Sequence, residues 1–227
     1  MPKHGKRFRS SSAKIDKEKV YSKEEAIKLV KEVAQEKFDS SIEVHLKLGI
    51  DPKHASQIVR GSFVLPHGMG KSKKIAVFAE GKQADQAKEA GAQIVGGDEL
   101  INQIKTKKKC DFEVALATPD MMKKIAPIAK TLGQKGLMPN PRNETITPDP
   151  AQTIKELNAG KVNFRNDDFS NVHQMIGKIS FDDDKLLANL GAFLDAIKKA
   201  KPDETKGVFF RGATICSSMG PGIKIQI

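Results

Sequence analysis

Residues 65–78 read LPHGMGKSKKIAVF, and this stretch decides the fold because the pattern of predicted secondary structure changes inside it. The letters Gly70-Lys71-Ser72 are the last three of a phosphate-binding P-loop, whose pattern also needs a glycine five residues before Gly70. That position is Leu65. A P-loop also leads into a helix, whereas residues 73–78 contain β-branched and aromatic side chains that predict a strand. The sequence therefore disfavours a nucleotide site and predicts a junction here.

Before this junction, the sequence predicts one helix and one half-buried strand. Ser22, with a glutamate three residues later, forms a capping box, and apolar residues at helical spacing behind it predict a helix over 23–36. Apolar and polar residues alternate over 42–50, which predicts a strand whose polar face carries His45 and Lys47.

After the junction, predicted strands and helices alternate, which is typical of a parallel sheet with helices on its faces. A further helix over 151–159 ends at Gly160, a residue suited to the left-handed position that follows a helix. The alternating segment consists of strand 74–79, helix 82–90, strand 93–95, helix 99–105, strand 112–117 and helix 121–132.

Beyond Gly160 the pattern of a β-rich segment returns, with strands over 162–165 and 172–181 and two more near the C-terminus, over 207–217 and 223–227. A long amphipathic helix interrupts them, and Asp182-Asp183-Asp184 immediately precedes it. These carboxylates could bind a hard cation, but their position favours a role at the positive end of the helix.

The fold class predicted is α+β: a split α/β sandwich domain interrupted by an inserted three-layer, Rossmann-like α/β domain. The first domain comprises residues 1–67 plus 160–227, and the insertion comprises residues 68–159. Gly68, Gly70 and Gly160 lie at the crossings and are suited to a hinge, because glycine tolerates large changes in φ and ψ.

The charge of the chain points to a polyanionic partner. The formal net charge is +11 and the isoelectric point about 9.5, and lysine and arginine that neutralise phosphates release counterions. Residues 1–20 contain seven lysines and arginines against two acidic residues, and such arms commonly order on nucleic acid. No apolar run is long enough for a membrane span, and no secretory signal precedes the basic segment.

The sequence signals for catalysis and for metal binding are weak. The five histidines, among them His45 and His173, lack the spacing of a zinc site. Cys110 and Cys216 are isolated and are interpreted as buried or incidental thiols of a reducing cytosol. No metal and no cofactor is therefore predicted. An enzyme remains open, because catalytic groups need not be close in sequence.

The composition favours one mode of nucleic-acid recognition. With no Trp and one Tyr, a protein that stacks successive single-stranded bases is disfavoured, which leaves recognition of folded RNA or duplex by shape and backbone. Two segments fit that mode, 37–41 and 217–222, because small hydroxyls and glycine backbone can approach a sugar–phosphate chain closely. For the second segment, the sequence pattern alone slightly favours an ordinary hairpin turn over an RNA contact.

Several motifs, in this order and at this spacing, resemble the L-one family of bacterial large-subunit ribosomal proteins, the proteins of the mobile lateral stalk. The resemblance covers essentially the whole chain. The motifs are Val59-Arg60-Gly61 with Leu65-Pro66-His67-Gly68, Gly136-Leu137-Met138-Pro139-Asn140-Pro141, Phe164-Arg165-Asn166-Asp167, and Met219-Gly220-Pro221.

This resemblance implies a non-catalytic two-domain protein that binds a folded region of large-subunit ribosomal RNA, chiefly through the first domain. It also implies assistance in releasing deacylated tRNA from the exit site and repression of translation from the mRNA of its own operon. The protein is then expected in the cytoplasm on ribosomes, with no membrane contact, and as a monomer when off the ribosome. The RNA-contacting residues implied by position are Lys37, Phe38, Ser41, Arg165, Asn166, Ser218, Met219 and Gly220.

The sequence departs from the family pattern at a few positions. Ser218 replaces the usual threonine and keeps the hydroxyl, whereas Asp168 and Ser170 stand where the family has lysine and glycine. After Pro141, Arg142 keeps the charge of the usual lysine, and Glu144 replaces a glycine. Two alternatives stay open: a nucleotide-dependent RNA enzyme that uses the inserted domain, and a translational regulator that acts only off the ribosome.

Overall fold

The computed structural model describes residues 5–70, 74–107, 109–141, 144–205 and 207–227. Lys71 and Ser72 of the P-loop-like letters, and Arg142, lie outside these ranges. The chain forms two compact units: Met1–Gly70 with Val162–Ile227 make the first, and Lys71–Lys161 makes the second. The mixture of helices and sheets confirms the α+β class.

The helices and strands of the described residues are numbered here along the chain. In order they are α1 Lys6–Ala13, α2 Lys23–Val33, β1 Ser41–Leu48, β2 Arg60–Val64, β3 Ile75–Phe78, α3 Lys82–Glu89, β4 Ile94–Gly96, α4 Asp98–Lys107, β5 Val114–Ala117, α5 Met121–Ile125, α6 Ala129–Gln134, α7 Pro150–Asn158, β6 Lys161–Arg165, β7 Asn171–Lys178, α8 Asp183–Lys199, β8 Phe210–Ser217 and β9 Ile223–Ile225.

Helix α2 begins as the capping box predicts, because the Ser22 hydroxyl oxygen accepts a hydrogen bond from the Glu25 N–H at 3.2 Å. The helix ends at Val33, three residues before the predicted end, where the backbone of Ala34 turns extended. Its apolar face, including Ile27 and Val30, is fully buried.

The first unit is built on an antiparallel four-stranded sheet in the order β7-β1-β8-β9. The inward side chains of β1, such as Val44 and Leu46, are buried in one core with α2 and α8. The other face carries His45 and Lys47, as the alternation predicts. Strand β1 stops at Leu48 rather than residue 50, after a shift in its register against β8 between Lys47 and Leu48.

Part of the basic N-terminal segment forms helix α1, which packs against the rest of the first unit. The Ser11 hydroxyl donates to the carbonyl of Val33 at 2.9 Å, and Ser11 is buried. Arg7 pairs with the buried side chain of Glu36 at 3.7 Å. These contacts attach α1 to the C-terminal end of α2.

Strands β2 and β6 pair with each other in a separate two-stranded sheet. The N–H of Asn166 donates to the carbonyl of Val59 at 2.9 Å, which places the start of β2 beside the end of β6. The two strands are therefore antiparallel, although residues 65–160 separate them in sequence. The sequence analysis predicted β6 but not β2.

The second unit contains a parallel three-stranded sheet in the order β4-β3-β5, as the alternating pattern predicts. Alternate residues of the central strand β3 face two apolar clusters: Phe78 packs in the cluster that includes α4 and α5, and Val77 in the cluster with α3 and α7. Helix α7 ends before Gly160, whose φ of 108° lies in the left-handed region.

The single helix predicted over 121–132 is wrong, because the structure divides it into α5, a 3₁₀ turn at Ala126–Ile128 and α6. Pro127 lies in that turn, and proline lacks the N–H that an uninterrupted helix would need there. Ahead of α8, Asp182 makes no capping bond with its side chain and instead contacts Lys185 at 2.6 Å. In the part of the chain described, no helix combines the length and apolarity needed to cross a membrane.

Candidate nucleic-acid interface

The turn after β8 lies directly against the start of β1. The Ser218 N–H donates to the carbonyl of Ser41 at 2.9 Å, and the Ser218 hydroxyl lies 3.5 Å from the same oxygen. This hydroxyl also donates to Glu43 Oε1 at 3.3 Å. The structure therefore brings together two predicted site residues that 177 positions of sequence separate.

Met219 forms the exposed tip of this turn. Its φ of 62° lies in the left-handed region, a conformation that costs a residue with a side chain about 1 kcal/mol or more. The side chain is 74% exposed, although methionine is usually buried. The turn thus presents an apolar side chain to solvent from a constrained backbone.

Gly220 closes the turn in close contact with Ser217. A Cβ atom at this position would lie 2.2 Å from the Ser217 hydroxyl oxygen, closer than any real contact. The Gly220 N–H donates to the Ser217 carbonyl at 2.9 Å. Among the described residues, the buried hydroxyl oxygens of Ser217 and Ser40 have no hydrogen-bond partner. These two residues directly precede Ser218 and Ser41 in sequence, the residues that join the turn to β1.

Lys37 and Phe38 lie exposed on the segment that leads into β1, and Phe38 is 54% exposed. Asp39 fixes this segment: its carboxylate accepts from the N–H and the hydroxyl of Ser180 at 3.1 and 2.9 Å. Burial acts to raise the pKa of Asp39, but the two bonds from Ser180, with Lys178, outweigh it and lower the pKa. The contact between Asp39 and Ser180 therefore fixes this segment, while Lys37 and Phe38 face solvent.

Arg165 and Asn166 lie at the other end of the sheet from Ser41. The loop after β6 meets β1 at Lys47, because Asp167 accepts from the N–H of Asn171, which pairs with Lys47. Six residue steps of about 3.4 Å separate Lys47 from Ser41, or about 20 Å. The predicted residues therefore form two separate sets.

The side chain of Asn166 is used within the protein. Its Oδ1 accepts from the Val59 N–H at 2.9 Å, and its Nδ2 donates to the Asp167 carbonyl at 2.9 Å. The residue is 8% exposed. Arg165 is the exposed member of this pair.

The open face of the four-stranded sheet carries a polar cluster that sequence reasoning missed. His45 Nδ1 lies 2.7 Å from His173 Nδ1, and His45 Nε2 lies 3.2 Å from Cys216 Sγ. The spacing of histidines and cysteines along the chain gave no sign of it, because the residues come from β1, β7 and β8. The interpretation of Cys216 as an incidental thiol is therefore incomplete.

The structure also bears on the P-loop interpretation. Strand β3 begins at Ile75, three residues after Ser72, where a P-loop would need a helix. The nucleotide-dependent enzyme thus gains no support from this junction.

Comparison with known proteins decides the family. A model of the ribosomal protein L1p/L10e family matches residues 30–221, which include both the 37–41 segment and the Ser218–Gly220 turn. The chain belongs to the ribosomal protein L1p/L10e family. This confirms the family predicted from the motifs.

Close relatives of this L1p/L10e family chain come from several bacteria, and each is named large ribosomal subunit protein uL1. The protein from Solibacter usitatus is 47% identical over 99% of this chain and 94% of its own length. Those from Chloroflexus aurantiacus and Mycolicibacterium smegmatis are 48% and 47% identical over 100% of this chain and 96% of their own lengths. The similarity therefore extends over both units.

Proposed function

We propose that this chain is a structural protein of the bacterial large ribosomal subunit that binds ribosomal RNA, with no catalytic step. The observation that carries the proposal is the bond between Ser218 and Ser41. It joins the exposed Met219 tip and the Lys37–Phe38 segment at one end of the sheet. The family membership of the chain supports this assignment.

The chemistry of this surface suits folded RNA. Phe38 and Met219 offer apolar area for unstacked bases or sugars, and Gly220 allows close approach of backbone to a sugar edge. Lys37, together with a net charge of +11, supplies attraction for phosphates. Arg165 extends this contact at the opposite end of the sheet, and Asn166 supports its loop.

The finer assignments follow the family resemblance. We assign RNA binding to a first domain of residues 1–67 plus 160–227, and mobility to an inserted domain of residues 68–159. The hinge consists of Gly68, Gly70 and Gly160, whose φ angles of 62°, 71° and 108° are all left-handed. Such angles are readily reached by glycine and strained for other residues.

On the ribosome, in the cytoplasm, this arrangement serves as a mobile lateral stalk that assists release of deacylated tRNA from the exit site. Off the ribosome, the protein is a monomer and uses the same surface to bind the mRNA of its own operon and repress its translation. A single surface serves both RNAs because the determinants are shape and backbone rather than a base sequence.

The test is binding of the full-length protein to fragments of large-subunit ribosomal RNA in a filter assay across a salt series. We expect Met219→Asp to weaken binding at least ten-fold at fixed salt, because it places a carboxylate beside phosphates. Val208→Asp is the matched control: Val208 is 73% exposed and lies before the far end of β8. Equal affinities of the two variants would contradict the proposed surface.

The same RNA fragment also separates the two classes of function. We expect it to raise the thermal midpoint of the protein, whereas ATP and GTP leave the midpoint unchanged. The slope of log affinity against log salt estimates the number of phosphates neutralised. Stabilisation by a nucleotide and not by RNA would favour the enzyme instead.

A further inference from the structure

Three metal-ligating groups meet on the open face of the four-stranded sheet. They are a carboxylate oxygen of Glu43, an imidazole nitrogen of His45 and the thiol of Cys216, and all three atoms lie within 4.8 Å of one another. Glu43 and His45 are two residues apart on β1, so both side chains point to the same face. Cys216 is the register partner of Glu43 on the adjacent strand β8.

The hydrogen bonds around His45 leave its Nε2 free to coordinate. His173 Nε2 lies 3.4 Å from a carboxylate oxygen of Asp167, which can only accept, so this nitrogen carries the proton. In the tautomer that this contact favours, the other nitrogen of His173 accepts from His45 Nδ1 at 2.7 Å. His45 is consequently protonated at Nδ1, and its Nε2 directs a lone pair toward Cys216 Sγ, 3.2 Å away.

We call the chain of hydrogen bonds from Asp167 through His173 to His45 the relay. It resembles the hydrogen bonds that orient metal-bound histidines in proteins. A ligating imidazole almost always donates its other N–H to a neighbouring acceptor, which fixes the tautomer and the ring orientation. Asp167 anchors the relay from its far end. Burial acts to raise the pKa of Asp167, but hydrogen bonds from Asn171 and Phe169 outweigh it and lower the pKa to about 2.

We propose that Glu43, His45 and Cys216 form a binding site for a zinc-class divalent ion, with His173 and Asp167 as positioning residues. Thiolate and imidazole ligands together select zinc over magnesium or calcium, and a carboxylate is a regular third ligand. Three protein ligands leave a fourth position for water. The face is open to solvent at His45, whose side chain is 32% exposed, so the ion has a path of entry.

The distances fit this ion with small movements. Zn–S of about 2.3 Å and Zn–N of about 2.0–2.1 Å place the two ligand atoms about 3.5 Å apart in a tetrahedral site. The observed separation of Cys216 Sγ and His45 Nε2 is 3.2 Å. Glu43 Oε2 lies 4.0 Å from the same nitrogen, and its side chain is 40% exposed and can rotate inward.

Metal binding displaces a proton from one ligand atom, the sulfur of Cys216. Burial, together with the nearby Glu43, raises the pKa of the Cys216 thiol to about 11, so the metal-free cysteine holds its proton at neutral pH. When the ion binds, the S–H bond breaks, a sulfur–metal bond forms and the proton leaves to solvent. No electron is transferred.

The test uses the full-length protein, reduced and stripped of metal, titrated with Co²⁺ and then Zn²⁺. We expect one equivalent of Co²⁺ to produce a sulfur-to-cobalt charge-transfer band, which Zn²⁺ then removes by displacement. Cys216→Ser abolishes the band, and His45→Asn weakens Zn²⁺ binding about 100-fold. Cys110→Ser, which removes the other thiol of the chain, is the matched control and leaves both unchanged.

The positioning role of His173 has its own readout. We expect His173→Gln to weaken Zn²⁺ binding by about 10- to 100-fold while the charge-transfer band and the thermal midpoint of the metal-free protein persist. Absence of the band in the wild-type protein, or a band that survives Cys216→Ser, would overturn the site and leave a hydrogen-bonded cluster only. Neither result depends on RNA binding, so the proposed function is tested separately.

Discussion

The side chain of Asn189, in the middle of α8, donates a hydrogen bond from Nδ2 to the carbonyl of Gly68 at 3.0 Å. The same nitrogen donates to the carbonyl of Ile176 at 2.7 Å, and Oδ1 accepts from the N–H of His67 at 3.1 Å. Asn189 is fully buried. One side chain thus fixes the backbone at His67 and Gly68, where the first unit meets the rest of the proposed hinge.

Removing this amide should destabilise the protein. We expect Asn189→Leu, which nearly conserves volume, to lower the free energy of unfolding by about 2–3 kcal/mol, because buried backbone groups lose their partners. Chemical denaturation measures the effect. Asn158→Leu, at an exposed position of α7, is the matched control and should change stability by less than about 0.5 kcal/mol. If both variants lowered the free energy of unfolding equally, the hydrogen bonds of Asn189 would not contribute specifically to stability.

The hinge assignment predicts a change in mobility rather than in RNA binding. Proline fixes φ near −65°, whereas Gly68 has a φ of 62°, so Gly68→Pro must displace the backbone at the crossing. We expect small-angle scattering to show a different ensemble width, with RNA affinity changed less than three-fold.

The matched control for this hinge is Gly207→Pro. Gly207 has a φ of 82° and, like Gly68, has open space at the position of a Cβ atom. It does not lie at a crossing between the units. An ensemble width that stays the same in Gly68→Pro, or changes equally in Gly207→Pro, would count against the hinge.

The RNA surface depends on the shape of its turn as well as on its charge. Gly220→Ala would place a methyl group 2.2 Å from the Ser217 hydroxyl oxygen and 3.2 Å from the Ser217 carbonyl oxygen, so the Ser217 side chain must rotate and the backbone of the turn must adjust. We expect RNA affinity to fall about ten-fold or more at fixed salt. Gly212→Ala, on the strand that precedes this turn and with nothing within 4 Å of the new atom, should leave affinity unchanged. Wild-type binding by Gly220→Ala would show that the turn geometry is irrelevant.

The loop after β6 predicts a dependence of stability on pH. Burial acts to raise the folded-state pKa of Asp167, but hydrogen bonds outweigh it and lower the pKa from 3.8 to about 2, so its contribution is complete above pH 3.8 and is lost as the pH falls through 2. Allowing for solvent screening, this contribution is about 1–2 kcal/mol. The titratable group facing Asp167 is His173, at 3.4 Å.

The measurement compares Asp167→Asn with wild type in denaturation series at pH 7 and below the folded-state pKa, at about pH 1.5. We expect the variant to be less stable by about 1–2 kcal/mol at pH 7 and nearly equal to wild type at the lower pH. Asp168→Asn is the control, because the described residues provide its side chain with no hydrogen bond. A stability difference that is independent of pH would contradict the electrostatic explanation.

The sequence predicted correctly the elements that depend on residues close to one another along the chain. The cap at Ser22, the alternation along β1 and the parallel β/α segment around β3 were all visible, because each depends on residues a few positions apart. The helix over 121–132 failed since apolar spacing outweighed Pro127 in the prediction.

Long-range pairing accounts for most of what the sequence did not reveal. Strand β2 reads RGSFV, which lacks alternation, and its partner β6 lies beyond the whole second unit. The contact between His45 and Cys216 joins strands 171 positions apart. Sheet register alone brings those side chains together, and no spacing rule along the chain encodes it.

The pairing of β2 with β6 has a consequence for how such a chain can change. The two strands run antiparallel, so the end of β2 and the start of β6 are neighbours, as in a hairpin. A short loop could join them and complete the ladder without the intervening ninety-odd positions. The second unit can therefore be gained, lost or exchanged between β2 and β6, while the register of every other strand in the first unit is unchanged.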